Sequence, residues 1–285
     1  MKTSKTLCAM GMILSIATSA VAQNGDTKGS YASVNGLKMY YEIHGSGSAK
    51  TELVLLHGSF GFIEGWATVL PALTKTHQVI AVELQGHGHT NDLDRPLTDE
   101  QMAEDVAALL QQLKIKDADL FGYSMGGTVA LGIAIRHPEL VRKLATLGSC
   151  AGSLKDAFEP EAYKQYQSIP ADFAPPVLKN PYDRMSPDPS QWPVLVAKVK
   201  NMGRDFKGYS AAELKMIKAQ ALIMFGDREG IRLEHAVEMY RLIPNVQLAI
   251  FPGGDHFMLF HSSDKVLATL VPFLEAPMPE QKNPN

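Results

Sequence analysis

Short unbroken apolar runs alternate along this chain with longer segments whose apolar positions recur every three to four residues. Residues 53–56, 78–82, 120–123, 143–147, 221–225 and 247–251 are runs of strand length with few polar interruptions. Such runs suit strands covered on both faces, as in a parallel sheet held between layers of helices. Helical spacing predicts helices at 66–73, 128–135, 235–242 and 266–274, and another starting after Thr98. In that helix Met102, Val106, Leu109, Leu110 and Leu113 share a face, and Thr98 with Gln101 has the sequence of a capping box. Near the amino terminus, segments 31–34 and 37–43 flank Asn35-Gly36, a strong hairpin signal.

The alternation breaks between residues 148 and 219. Proline and aromatic residues crowd this stretch, and short helices are predicted at 160–168, 190–202 and 210–217, the last opened by a Ser210-x-x-Glu213 capping box. The expected fold class is therefore α/β, a mostly parallel central sheet with helices on both faces. Segments 31–147 and 220–275 form the core, and 148–219 is a helical lid inserted into it. Residues 276–285 read as a disordered, proline-rich tail. The active site of such a sheet lies at the carboxyl ends of its strands.

The first residues follow another logic. A basic start (Lys2, Lys5), an apolar stretch over 7–16 and Ala20-Val21-Ala22 are the three parts of a secretory signal peptide. The expectation is cleavage after Ala22 and a secreted or periplasmic protein, with 23–30 as a linker. The apolar stretch is too short to span a bilayer, so no membrane span is expected in the mature form. Removal of Lys2 and Lys5 leaves 25 basic against 30 acidic side chains, a net charge near −5. That charge gives no electrostatic reason to bind nucleic acid. Cys150 is the one cysteine left after processing, so no intrachain disulfide can form.

The segment Gly122-Tyr123-Ser124-Met125-Gly126-Gly127 carries the chemistry. An apolar run enters it and a buried-helix run leaves it. A sharp strand-to-helix turn with Ser at its apex is a nucleophile elbow, and it leaves no room for side chains two residues before and after the Ser. A serine hydroxyl needs a base, and the base needs an orienting acid. Of nine histidines, His256 follows a strand and the turn Pro252-Gly253-Gly254-Asp255, which puts it over the strand ends. His57 reads as a loop brace and His235 as part of an amphipathic helix. His44, His77 and His137 lie at element edges, and His87 and His89 sit in a turn-rich loop on the wrong side of the chain order. The acid is expected in Gly226-Asp227-Arg228-Glu229, with Glu229 preferred and Asp227 the alternative. The amides of Met125 and of Ser59, with Phe60 second to Ser59, are the candidate oxyanion donors.

His57-Gly58-Ser59, Gln85-Gly86-His87-Gly88-His89-Thr90, the elbow, Gly226-Asp227-Arg228-Glu229 and Gly254-Asp255-His256-Phe257 together resemble the α/β-hydrolase fold family. The pattern is similar to its lid-bearing serine esterases, cofactor-free haloperoxidases and carbon–carbon bond hydrolases, over residues 31–274. Two positions depart from it: Glu83-Leu84-Gln85-Gly86 stands where many relatives have Asp-x-Arg-Gly, and Glu replaces Asp at 229. The resemblance implies hydrolysis of a small or medium apolar ester, lactone or related carbonyl compound through an acyl-enzyme. No cofactor or metal is required. Alternatives on the same fold are a slow-turnover ligand sensor, a carbon–carbon hydrolase or a perhydrolase. A Ser at the elbow argues against the dehalogenases and epoxide hydrolases of this fold, which use Asp.

Overall fold

The computed structural model describes residues 29–45 and 51–278. The expected signal peptide, nearly all of the expected linker and the end of the expected tail lie outside the described residues. In chain order the elements are β1 (Ser30–Val34), β2 (Leu37–His44), β3 (Glu52–Leu56), α1 (Leu70–Leu73), β4 (Gln78–Val82), α2 (Asp99–Gln112), β5 (Ala118–Tyr123), α3 (Met125–Arg136) and β6 (Val141–Leu147). The inserted stretch then supplies α4 (Leu154–Ala157), α5 (Pro160–Gln167), α6 (Pro176–Met185), α7 (Trp192–Asp205) and α8 (Ala211–Lys215). The core resumes with β7 (Gln220–Gly226), α9 (Leu233–Leu242), β8 (Val246–Phe251), α10 (Met258–His261) and α11 (Ser263–Glu275).

The eight strands form one sheet in the order β1-β2-β4-β3-β5-β6-β7-β8. The hairpin β1–β2 and the pair β2–β4 are antiparallel, and every other pairing is parallel. The apolar runs are continuous because both faces are covered. Val54, Leu56, Ile80, Val82 and Leu120 pack with α2, α3, α9 and the insertion, while Leu53, Leu55, Val79, Ala81 and Phe121 pack with Trp66, α1 and α11. Successive residues of one strand thus serve opposite layers. Helix α3 is buried from Met125 to Ile135, so its sequence lacks the polar face of a surface helix.

Three sequence readings are corrected in detail. The predicted helix at 66–73 is two short pieces, a 3₁₀ turn over Ile63–Trp66 and α1, the latter with a proline in its first turn. The capping box at α2 is half-formed. Thr98 accepts from the Gln101 amide, but the Gln101 side chain turns to Asp105 instead of back to the cap. The box at α8 is complete. Helix α6, in a stretch crowded with Pro175, Pro176 and Pro181, is not among the predicted helices. Pro176 occupies the first turn, where a missing N–H costs nothing, and the carbonyl orphaned by Pro181 belongs to exposed Val177.

The insertion is tied to the core at its base. Gly152 pairs with Gly208, Phe158 pairs with Ile231, and Tyr209 donates from its hydroxyl to the Thr128 carbonyl of α3 at 3.0 Å. Farther out, Lys198 of α7 donates to Asp92 and to the Leu93 carbonyl of the core.

Candidate active site

Strand β5 ends at Tyr123 and α3 begins at Met125, so Ser124 alone makes the turn, with φ 52° and ψ −122°. A non-glycine residue there carries strain of about 1–3 kcal/mol, held in place by its surroundings. The flanking glycines are required by close approach: a Cβ at Gly122 would run into Gly126, and one at Gly126 into the Leu56 carbonyl. The turn lifts the side chain of Ser124 above the strand ends and aims the amino end of α3 at the space beside it.

His256 follows β8 and meets Ser124 from the next-but-two strand. Its Nε2 lies 3.0 Å from Ser124 Oγ and its Nδ1 3.2 Å from Glu229 Oε2. An ionised carboxylate only accepts, so Nδ1 carries the hydrogen and Nε2 presents a lone pair to the hydroxyl. Glu229 is 1% exposed and fixed by the Gly226 amide on its other oxygen at 2.7 Å, whereas His256 is 32% exposed. The extra methylene of Glu is taken up by a loop that lets the carboxylate fold back onto the end of β7. Asp227 is engaged elsewhere, accepting from the Gly253 amide at 2.6 Å and bracing the turn before His256. The structure brings Ser124, His256 and Glu229 together and keeps Asp227 apart from them.

The loop after β3 closes the site from the other side. A Cβ built on Gly58 would stand 3.1 Å from Ser124 Cβ, and Ser59 Oγ lies 3.5 Å from Met125 Sδ. Among the described residues, the amides of Ser59, Phe60 and Met125 have no acceptor, so each is free to donate. His57 braces this loop, as its position predicts. Its Nδ1 donates to the Gly58 carbonyl at 2.8 Å and its Nε2 accepts the Leu84 amide at 3.1 Å. Burial, reinforced by His87 nearby, pushes its pKa down to about 3, so it stays neutral. His87 is likewise neutral, burial taking it to about 4. The departure at 83–86 is also accounted for: buried Glu83 accepts from the amides of Ile63 and His89, and Gln85 joins Arg95 to Asp92.

Gly148 escaped the sequence reading, and so did the contacts of Tyr123 and Phe60, which it named only as an elbow residue and a second oxyanion donor. Gly148, at φ 61°, leaves the space that the acid and the histidine occupy, since a Cβ there would lie 2.9 Å from Glu229 Oε2 and 3.0 Å from His256 Nδ1. Tyr123 donates from its hydroxyl to the His256 carbonyl at 2.8 Å. Phe60 takes φ 62° and packs against the insertion. A glycine directly after β6 was the one sequence signal available for the first. The other two depend on contacts across more than a hundred residues.

An elbow serine, a histidine on its hydroxyl and a buried carboxylate over the ends of a parallel sheet define the alpha/beta hydrolases, and the chain belongs to this family, whose model matches residues 53–269. It is 41% identical over 119 residues to 2-hydroxymuconate semialdehyde hydrolase of Pseudomonas sp. strain CF600, a match covering 39% of this chain and 40% of that protein. It is 26% identical over 257 residues to 2-hydroxy-6-oxo-2,4-heptadienoate hydrolase of Pseudomonas putida, covering 80% and 90% respectively. Among solved structures it is similar to an enol-lactonase from Burkholderia xenovorans, with TM-score 0.68, 24% identity and coverage of 87% and 100%. A Bacillus subtilis carboxylesterase aligns with TM-score 0.70 and 20% identity, covering 89% and 93%. No helix among the described residues is long and apolar enough to cross a membrane.

Proposed function

We propose that the protein is a serine hydrolase of small or medium apolar esters, with Ser124 as nucleophile, His256 as general base and acid, and Glu229 as the acid that orients it. The observation that carries this reading is the 3.0 Å approach of His256 Nε2 to Ser124 Oγ. Ser124 Oγ attacks the ester carbonyl as His256 Nε2 takes its proton. The imidazolium is stabilised by Glu229, and the oxyanion is received by the amides of Met125 and Ser59. His256 then gives the proton to the departing alkoxide. Water, activated by the same Nε2, attacks the acyl-enzyme and releases the acid. The insertion, with Phe173 and Trp192 over the loop at Phe60, serves as an apolar cover.

A carbon–carbon hydrolase is the second reading, favoured by the 41% local identity to the muconate semialdehyde enzyme. That enzyme's name implies a substrate bearing a carboxylate. Export rests on the amino-terminal sequence alone, and mass measurement of protein recovered from the periplasm or medium would test cleavage after Ala22. The activity is tested with p-nitrophenyl esters of increasing chain length. Sustained turnover that is lost in Ser124→Ala is the expected result. Equal turnover in both proteins would overturn the nucleophile assignment, and a single slow burst would point to a ligand sensor.

A further inference from the structure

The insertion meets the candidate oxyanion loop at the ring of Phe60. Its ring centroid lies 5.4 Å from that of Trp192 and 5.7 Å from that of Phe173. Phe60 is the next residue after Ser59 and holds φ 62°, a backbone conformation that a phenylalanine does not adopt unaided. Something must hold it there, and two of the neighbours that pack on its ring belong to the insertion. Trp192, which opens α7, is 3% exposed. Its indole N–H donates to the Phe173 carbonyl at 2.7 Å, and its ring meets Tyr182 edge-on at 5.1 Å. Helix α7 is in turn anchored to the core by Lys198 on Asp92 and the Leu93 carbonyl. Below, the loop rests on His57, bonded to Gly58 and Leu84, and the Gly61 amide closes it by donating to the Gly58 carbonyl at 3.0 Å.

We infer that Trp192 and Phe60 are positioning residues: the aromatic contact between them fixes the backbone of the Ser59–Phe60 loop, so the insertion sets the direction of an oxyanion donor as well as covering the substrate. The inference rests on the serine-hydrolase reading above. An oxyanion donor works only when it is aimed beforehand at the place where charge develops, and loss of one donor costs about a hundred- to a thousandfold in turnover. Misdirecting a donor that is still present costs part of that. The loss falls on the transition state, because the ground-state carbonyl is not the group the donor is aimed at.

The test uses the intact protein, phenyl acetate as a substrate too short to depend on the cover, and rates expressed per active site titrated with a fluorophosphonate. Trp192→Ala and Phe60→Ala are each expected to lower kcat by about ten- to a hundredfold with KM within about twofold, a fraction of the loss of a whole donor. Affinity for a trifluoromethyl ketone, whose hemiketal oxygen occupies the oxyanion position, should fall in parallel. The double variant should be no worse than the poorer single one, and Trp192→Phe should recover most of the rate. Phe60→Leu, which keeps apolar bulk without the ring, replaces Phe60→Ala if that variant does not fold. The inference is overturned if KM alone rises, if the two effects multiply, or if ketone affinity is unchanged while only the melting temperature drops. A wild-type protein that neither reacts with the fluorophosphonate nor cleaves phenyl acetate would overturn the serine-hydrolase reading itself. Normal wild-type turnover with indifferent variants would overturn the positioning role alone.

Discussion

The two ends of the sheet both bury charged side chains, yet they are built in opposite ways. At the amino ends of β5 and β6, Asp119 pairs with Arg142, and Lys143 donates to the carbonyls of Phe273, Leu274 and Ala276 at the close of α11. Burial raises the Asp119 pKa to about 6 against the opposing pull of Arg142. The backbone there is irregular only in a register shift between Ala118 and Asp119 and, in the turn before β5, in Lys114 at φ 61°. At the carboxyl ends, His256 is a third exposed and its acid is buried. Two of the four described non-glycine residues with positive φ, Phe60 and Ser124, also lie there. Buried charge alone therefore does not mark a reactive site. Strained backbone around a half-open histidine does.

This contrast can be broken most severely at Ser124. Ser124→Ala should reduce ester turnover by about five to six orders of magnitude, the scale on which a nucleophile acts, with the fold retained in far-UV circular dichroism. Next, Glu229→Gln should lower kcat by about two to four orders of magnitude by losing the imidazole orientation. Asp227→Asn should stay within about threefold of wild type, since that carboxylate braces a turn. The reverse ranking would transfer the acid role to Asp227.

The opposite end should answer in stability rather than rate. Lys143→Met removes a cation from three helix-terminal carbonyls, and urea denaturation should show a loss of about 2–4 kcal/mol with kcat unchanged. The smallest effect concerns Asp99, the first residue of α2, whose carboxyl is buried and raised from 3.8 to about 7, chiefly by burial and secondarily by Glu100. A carboxyl with its folded pKa above its unfolded one holds its proton more tightly when folded. Its cost is therefore absent below pH 3.8 and grows until the pH passes about 7. Asp99→Asn should raise stability at pH 8 by about 1–3 kcal/mol and change it little at pH 4. Urea melts at the two pH values decide it, and an equal shift at both would contradict the titration.

Much of this was legible in the sequence for local reasons. The strands showed as apolar runs because both faces are covered, and the elbow showed because its glycines flank the Ser at a fixed short spacing. His256 and Glu229 each follow a strand whose end is written in the sequence. What was missed depends on packing and on hydrogen-bond choices that the local pattern does not show. Helix α6 contains prolines that its exposed position tolerates. Gly148 makes room for side chains 81 and 108 positions away. Phe60 is held by rings more than a hundred residues downstream, and the Gln101 side chain chose Asp105 over its own cap.

The nucleophile is tested most directly by weighing the intact protein after brief exposure to a fluorophosphonate and mapping the label by peptide mass. One phosphonyl group on Ser124, with none gained by Ser124→Ala and slower labelling in His256→Ala, is the predicted result. A label on another residue, or sustained ester hydrolysis with Ser124 unmodified, would contradict it.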